Sequence, residues 1–484
     1  MTRLRQGFHL RRGYGGQDGG QDGGPDAGQV WFLARHEWRV LSASAVVRTV
    51  IAVFGIALLT ASAIGTTRAV RERATIESFA NRGGLARPVR PASLAADVVA
   101  NERGWLALLP PAPLSALAIG QGDVHPNYIK VSARSLDALV SGDQIEHPLT
   151  VSNGQFDAAF VVLFLYPLLI FAVSFDLTAS ERDRGTLRMV LAQPVTLRDV
   201  VAGKMIVRMA MLAGPVIVVP MAVAAAWSPM DGGFWARAAL WTVSVLVYGL
   251  IWHGLALLVN ARGLSAPANA LVLAGVWLMF AIVGPSAVNL LIAVRYPMPS
   301  RVEAAIETRA ATREATVQGS RQLGQFLQDH PTSGNVGRDG MRQFALLQAE
   351  RDRRVAERMG AVEASFEAQL QKQRQLASWL SVLSPTMIAQ GVLLEIAGTS
   401  TFRFDRFREA AAAFQRQWRA YFEPRVLDAA TLTPAEYAAA PTFTFADEPA
   451  AAMLPRIATP LLLMTVAGAL LIWAGFRGYR GYSL

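Results

Sequence analysis

The run Ala158-Ala159-Phe160-Val161-Val162-Leu163-Phe164-Leu165-Tyr166-Pro167-Leu168-Leu169-Ile170-Phe171-Ala172-Val173-Ser174 holds no charged residue, and then come Asp176, Glu181, Arg182, Asp183 and Arg184. An apolar helix of this length approaches the thickness of a bilayer's hydrocarbon core, which takes about 20 residues to cross. Five more stretches of the same character occur: Ala45–Ile64, Met205–Trp227, Ala238–Val259, Pro267–Val294 and Ile457–Gly475. Prolines interrupt several of them (Pro167, Pro215, Pro220, Pro285). Membrane helices tolerate such breaks because neighbouring helices satisfy the freed carbonyls. The pattern predicts an all-α polytopic membrane protein with six transmembrane helices.

The composition agrees. Of 484 residues 52% are hydrophobic and only 17% charged, against about 25% charged in soluble domains. The net charge of +10 is not read as a nucleic-acid footprint, because the basic residues fall between apolar runs. Cysteine is absent, which excludes a thiolate metal site and a cysteine nucleophile. The histidines (His9, His36, His125, His147, His253, His330) form no pair with metal-ligand spacing. His253 in the fourth span is either functional or a helix–helix hydrogen-bonding residue. No metal or cofactor site is expected, and no nucleophile–base pair supports an enzyme.

Basic residues orient the spans. Arg3, Arg5, Arg11, Arg12, Arg35 and Arg39 precede the first; Arg182, Arg184, Arg188, Arg198 and Lys204 follow the second; Arg477 and Arg480 follow the sixth. The 228–235 loop has no basic residue. Both termini are therefore expected in the cytoplasm, although Arg68, Arg71 and Arg73 fall on the opposite side. No cleavable signal is expected, which makes the first span a retained anchor.

Outside the spans the sequence divides into a disordered tail at 1–28, an interfacial elbow helix at 29–44, extracytoplasmic regions at 65–157 and 295–456, a cytoplasmic loop at 175–204 and a short tail at 476–484. Both large regions are expected to be mainly helical. In the second, Val355, Met359, Val362, Phe366 and Leu370 mark one apolar helix face. Leu376–Ala397 is apolar enough for a seventh span, but Ser378, Ser381, Ser384, Pro385, Gln390 and Glu395 favour a re-entrant or interfacial helix.

The loop after the second span carries the functional signal. Thr186 is expected to cap a short helix with Leu187, Val190 and Leu191 on its apolar face; Pro194 ends it and Thr196 caps the next. Glu181 is expected to be solvated, facing that helix or a basic residue of a partner. Glu181, Arg182, Gly185, Thr186, Leu187, Pro194 and Lys204 resemble the coupling-helix motif of ABC-2-type transporter permeases. Two further segments, Leu117–Pro126 (with Gly120, Asp123 and Pro126) and Leu383-Ser384-Pro385 with Ile396–Thr399, resemble motifs in a branch of that family with two long extracytoplasmic inserts.

The resemblance implies a permease subunit in a bacterial inner (plasma) membrane that exports a substrate. Its ATPase-coupling residues would be Glu181, Arg182, Gly185, Thr186, Leu187, Leu191, Pro194 and Lys204. It implies a partner ABC ATPase subunit that binds ATP and Mg, since the chain has no Gly-x-x-x-x-Gly-Lys-Ser/Thr loop, and a second permease subunit, identical or paralogous. The alternative is a mechanotransmission subunit that drives an extracytoplasmic partner protein without conducting substrate. Nucleic acid is not an expected partner.

Overall fold

The computed structural model describes residues 27–81, 94–120, 126–134, 136–137, 156–228, 230–297, 364–365, 367–428 and 430–481, with isolated positions between 310 and 360. Residues 1–26 of the tail expected at 1–28, Asp123 and most of the apolar face expected at 355–370 lie outside the described residues, while Ala27 and Gly28 open a helix rather than closing a disordered tail.

The described chain begins with α1 (Ala27–Ala43) and α2 (Ala45–Asn81). The first insert contributes β1 (Leu94–Ala95), a π-helical turn at Val98–Arg103, β2 (Trp105–Leu108), β3 (Tyr128–Val131) and β4 (Leu136–Asp137). Helix α3 covers 158–174 and is followed by α4 (Ala179–Asp183) and α5 (Thr186–Leu191). Then come α6 (Leu197–Trp227), α7 (Gly232–Asn260) and α8 (Ala266–Arg295). The second insert holds α9 (367–381), α10 (Pro385–Ala397), α11 (Thr401–Leu427), β5 (Thr431–Leu432) and α12 (Pro434–Ala438). Last is α13 (Ala450–Gly478). Six of these helices are long and apolar enough to cross a membrane, which makes the chain a multi-pass helical membrane protein.

The expected first span is the start of a longer rod: α2 has 37 residues and continues past Ile64 through a charged stretch. The first insert is helical through the end of α2 at Asn81 and, among the described residues, changes character beyond it. From Leu94 on, its described residues form short strands, turns and the one π-helical turn, because its apolar positions alternate or cluster rather than recur along a long helical stripe. The two inserts also build one unit together. β1 pairs antiparallel with β5, Leu94 opposite Leu432. β2, β3 and β4 form a meander on which α11 lays Phe407, Ala411, Phe414, Trp418 and Phe422, spaced by three and four along one face.

The 376–397 segment is broken into two helices rather than one straight span. Ser384 and Pro385 stop α9, since the residue before proline is driven out of the helical region, and Ser384 then caps α10. The 13 residues of α10 reach only about 20 Å, too short to cross. The turn lies deep among the spans. Ser384 Oγ donates to the Phe280 carbonyl at 2.6 Å, midway along α8, and Thr386 meets Tyr248, midway along α7, at 3.1 Å.

Those contacts explain the interrupted spans. Pro167 has no N–H for the Leu163 carbonyl, and the Tyr248 hydroxyl donates to it instead at 2.6 Å. Trp277 Nε1 donates to the Phe164 carbonyl at 3.1 Å. Both carbonyls lie in a π-helical segment, Val161–Leu165, and Phe280 lies in the second one, Met279–Val283. Neighbouring side chains thus replace the bonds that the π geometry and the prolines remove.

Candidate functional site

At one end of the bundle, hereafter the loop end, α4 and α5 lie across the ends of α3, α6 and α7. Gly185 separates the two short helices in the left-handed conformation (φ 74°) and is the N-cap of α5. Thr186 is therefore the first residue of the helix and not its cap, a correction to the sequence reading; its hydroxyl donates back to the Glu181 carbonyl at 3.2 Å. Thr196 does cap α6, in a reciprocal box with Asp199.

Only Leu187 of α5 is buried; Leu191 is half-buried. Arg184, Gly185, Thr186, Arg188, Met189 and Pro194 are exposed, Met189 at 73%. An amphipathic stub with one anchor would not hold itself in place. Two charged latches hold it. Glu181 meets Lys204 of α6 at 2.8 Å, and the same ammonium donates to the Leu177 carbonyl at 2.8 Å. Arg182 reaches the other way, to the Gly263 carbonyl and, at 3.2 Å, to the Leu264 carbonyl in the α7–α8 turn. Glu181 is thus engaged within the chain, which corrects the expectation of a solvated carboxylate. The Lys204 side chain is only 10% exposed, so removing Glu181 does leave a buried charge behind.

A layer beneath the latches went unread in the sequence. Asn260, at the end of α7, accepts from the Leu177 amide at 3.1 Å and donates to the Ser174 carbonyl at 3.0 Å. Asn269 donates to the Phe175 carbonyl and to Asn260 Oδ1, each at 3.1 Å. The two amides close the frayed end of α3, where four carbonyls lack helical donors. One turn deeper Arg208 pairs with Glu37 of α1 at 2.9 Å, both nearly buried. Arg208 thus ends inside the protein, on an acid of another helix. The sequence signal was Glu37, the lone acid in an apolar and basic helix. His253 is 1% exposed, with Nδ1 2.8 Å from the Gly249 carbonyl of its own helix.

The second group of singled-out residues lies at the opposite end, the insert end, where the two insert motifs meet. A Cβ on Gly120 (φ 54°) would come within 2.5 Å of Leu394 and 3.3 Å of Thr399. Gly398 (φ 78°) ends α10 and would strike Ala112 at 2.5 Å. Leu117, Ala118 and Ile119 are buried in this collar, and Pro126 is half-buried on the way into β3. Asp157 holds the collar to α3, accepting from Ile119 N at 2.8 Å and from Phe160 N at 2.7 Å. Burial pushes its carboxyl up, against the pull of these backbone donors. Gly120 is thus a close-packing residue between the inserts.

An ion network completes the insert end. Arg237, 4% exposed, donates to the Ile396 carbonyl at 2.9 Å and the Glu448 carbonyl at 3.0 Å. Arg456 joins Glu395 and Glu448, and Arg403 holds Asp447.

A family model described as "Domain of unknown function (DUF3526)" matches residues 301–446, which covers α9 to α12 and the flanking segments. No curated protein matches the chain.

Proposed function

We propose that the chain is the membrane subunit of an ABC-2-type transporter, an exporter driven by a separate ATPase that docks on α4–α5. The observation that carries this reading is the double latch. A short helix with an exposed basic and apolar face is tied by Glu181 to α6 and by Arg182 to the α7–α8 turn. A push on α5 therefore reaches three spans through charge-assisted bonds rather than through a slack loop. The docking surface is Arg184, Thr186, Arg188 and Met189, with Gly185 giving the partner a close approach. The ATPase supplies ATP and Mg binding, and a second permease subunit completes the transporter.

In this reading the loop end faces the cytoplasm of a bacterial inner membrane, with both termini, and the insert unit lies outside. The native absence of cysteine makes the test direct. Gly185→Cys should resist a membrane-impermeant maleimide in intact cells and react after permeabilisation; labelling in intact cells would reverse the orientation. Affinity purification from the native membrane should recover an ATPase. Recovery of the intact chain without any ATPase, under conditions that preserve membrane complexes, would defeat the assignment.

A second reading, a mechanotransmission subunit, has its own support. Both inserts fold into one unit that α2 enters as a continuous helix and that the Arg237 and Arg456 network ties to α7 and α13. Such a unit could deliver motion to an extracytoplasmic protein. ATP-dependent substrate movement in sealed vesicles separates the two readings.

A further inference from the structure

The closest helix–helix contacts gather the spans into two groups, treated below as two bodies, with one buried apolar core running through both. In the first, α6 is pressed against α1 at Gly203, where an added Cβ would lie 3.0 Å from Leu33 and 3.1 Å from the Ala34 nitrogen. The buried Glu37–Arg208 pair fastens the same contact. At its far end α6 is fastened to α2: Arg73 donates to the Trp227 carbonyl at 3.4 Å and lies 5.2 Å over its ring. In the second body α7 and α13 approach through Gly254, Gly468 and Gly475, whose Cβ positions would fall 2.7, 3.1 and 2.7 Å from Leu471, Leu250 and Leu257. Tyr166 of α3 seats on Gly249, 2.8 Å from its Cβ position.

The seam between the bodies is filled along its middle by that core, where Phe54 of α2 and Leu212 and Val216 of α6 lie with Tyr166 and Tyr248, and it is closed differently at its two ends. At the insert end α2 meets the collar backbone to backbone: a Cβ on Gly65 would lie 1.9 Å from the Ala116 carbonyl oxygen. At the loop end the seam is a small apolar cluster, Leu177, Val201, Met205, Leu257 and Tyr479, crossed by Lys204.

We propose that Lys204 is a positioning residue, the latch of a lever in which α1–α2–α6 swings against α3–α7–α13 about the Gly65–Ala116 contact. The α4–α5 segment joins the two bodies in sequence and is tied to each, by Glu181 and by Arg182. Displacing it pulls Glu181 from Lys204 and frees the loop end while the pivot holds. The purpose of this motion rests on the docking reading above; its existence does not, because the latch can be opened by mutation in the isolated chain.

The test uses spin labels on the cysteine-free chain, purified alone in lipid nanodiscs. Ile206→Cys with Leu470→Cys, both exposed, spans the seam between α6 and α13. Trp31→Cys with Val218→Cys, also exposed, lies within the first body. Lys204→Met should shift the seam pair to longer and broader distances in pulsed dipolar spectroscopy and leave the internal pair unchanged. Lys204→Arg, which keeps the charge and the donors, should restore the original distribution. An unchanged seam distance in Lys204→Met overturns the latch. So do equal changes in both pairs, which would mean general loosening. If Lys204→Met does not purify as a monodisperse species, Lys204→Gln is measured against the same outcomes. Failure of both to fold also overturns the proposal, because a latch at one end of a seam is not needed to pack either body. No ATPase enters the experiment, so its failure leaves the docking reading standing, and loss of that reading leaves this result standing.

Discussion

The two ends of the bundle use the same residue types to opposite effect. At the insert end, Arg237, Arg403 and Arg456 meet Glu395, Asp447, Glu448 and main-chain carbonyls in one network, and an aromatic core stands beside it. At the loop end, Glu181 and Arg182 each hold one side of a short helix that buries a single leucine. Redundant charge contacts backed by an apolar core make a fixed structure. Sparse contacts over an exposed helix make one that a partner can move.

That contrast predicts a graded mutational response. The largest loss should come from Arg237→Met. It removes two bonds from a buried guanidinium to main-chain carbonyls while Arg403 and Arg456 still hold the acids, and leaving each acceptor unpaired costs about 1–3 kcal/mol, or about 2–5 together. Thermal unfolding in detergent should show it, and an unchanged melting temperature would make the insert-end network ornamental. Gly65→Ala comes next. Its new methyl meets a backbone oxygen that cannot rotate away, and overpacking costs about 1–3 kcal/mol.

Glu181→Ala should destabilise by less. Its side chain is 37% exposed, so water enters the space it leaves and reaches the buried Lys204 ammonium, which also keeps the Leu177 carbonyl, and the loss should fall between the roughly 1 kcal/mol of an exposed bridge and the 3–5 of a buried one. A melting shift as large as that of Arg237→Met would erase the distinction between the ends. Gly185→Leu should cost about 1–2 kcal/mol for a left-handed backbone, since nothing lies within 4 Å of its Cβ position. It should nonetheless abolish ATPase co-purification, and full retention of the partner would remove α5 from the docking surface.

The smallest effect is a pH response. Hydrogen bonds from Arg456 hold the Glu448 carboxyl below its ordinary value of 4.5. A lowered carboxyl pKa supplies stability above the unfolded-state pKa, and that stability is lost as pH falls through the folded-state value. Melting at the insert end should therefore weaken only below about pH 4.5, and Glu448→Gln should flatten that dependence. An identical acid profile in the variant would assign the response to other groups.

Legibility in the sequence followed the range of the interaction. Thr196, three residues before Asp199, announces its cap because the whole motif lies within one turn. Glu181 and Lys204 were both singled out, yet not as partners, because 22 intervening residues fold back to bring them together. Arg237–Ile396 was invisible for the same reason, and Glu37 stood out as the lone acid of its helix without naming Arg208 as its partner. The α9–α10 break was half-legible: Ser384-Pro385 marks the stop, but nothing local says that its hydroxyl will serve the Phe280 carbonyl.

By itself the sequence determined six long apolar helices, the prolines that interrupt them and the polar, proline-broken stretch at 376–397. These are one-dimensional properties: hydrocarbon thickness fixes the length of a span, and a missing N–H acts on the carbonyl four residues back. Only the tertiary structure decided that two inserts separated by four spans share one core, that the freed carbonyls of Leu163 and Phe280 are met by Tyr248 and Ser384, and that Glu181 and Arg182 of the α4–α5 segment bind inward. The physical reason is that apolar burial is non-directional and names no partner. A buried hydrogen bond or ion pair is directional, and its partner is fixed only when the helices have docked.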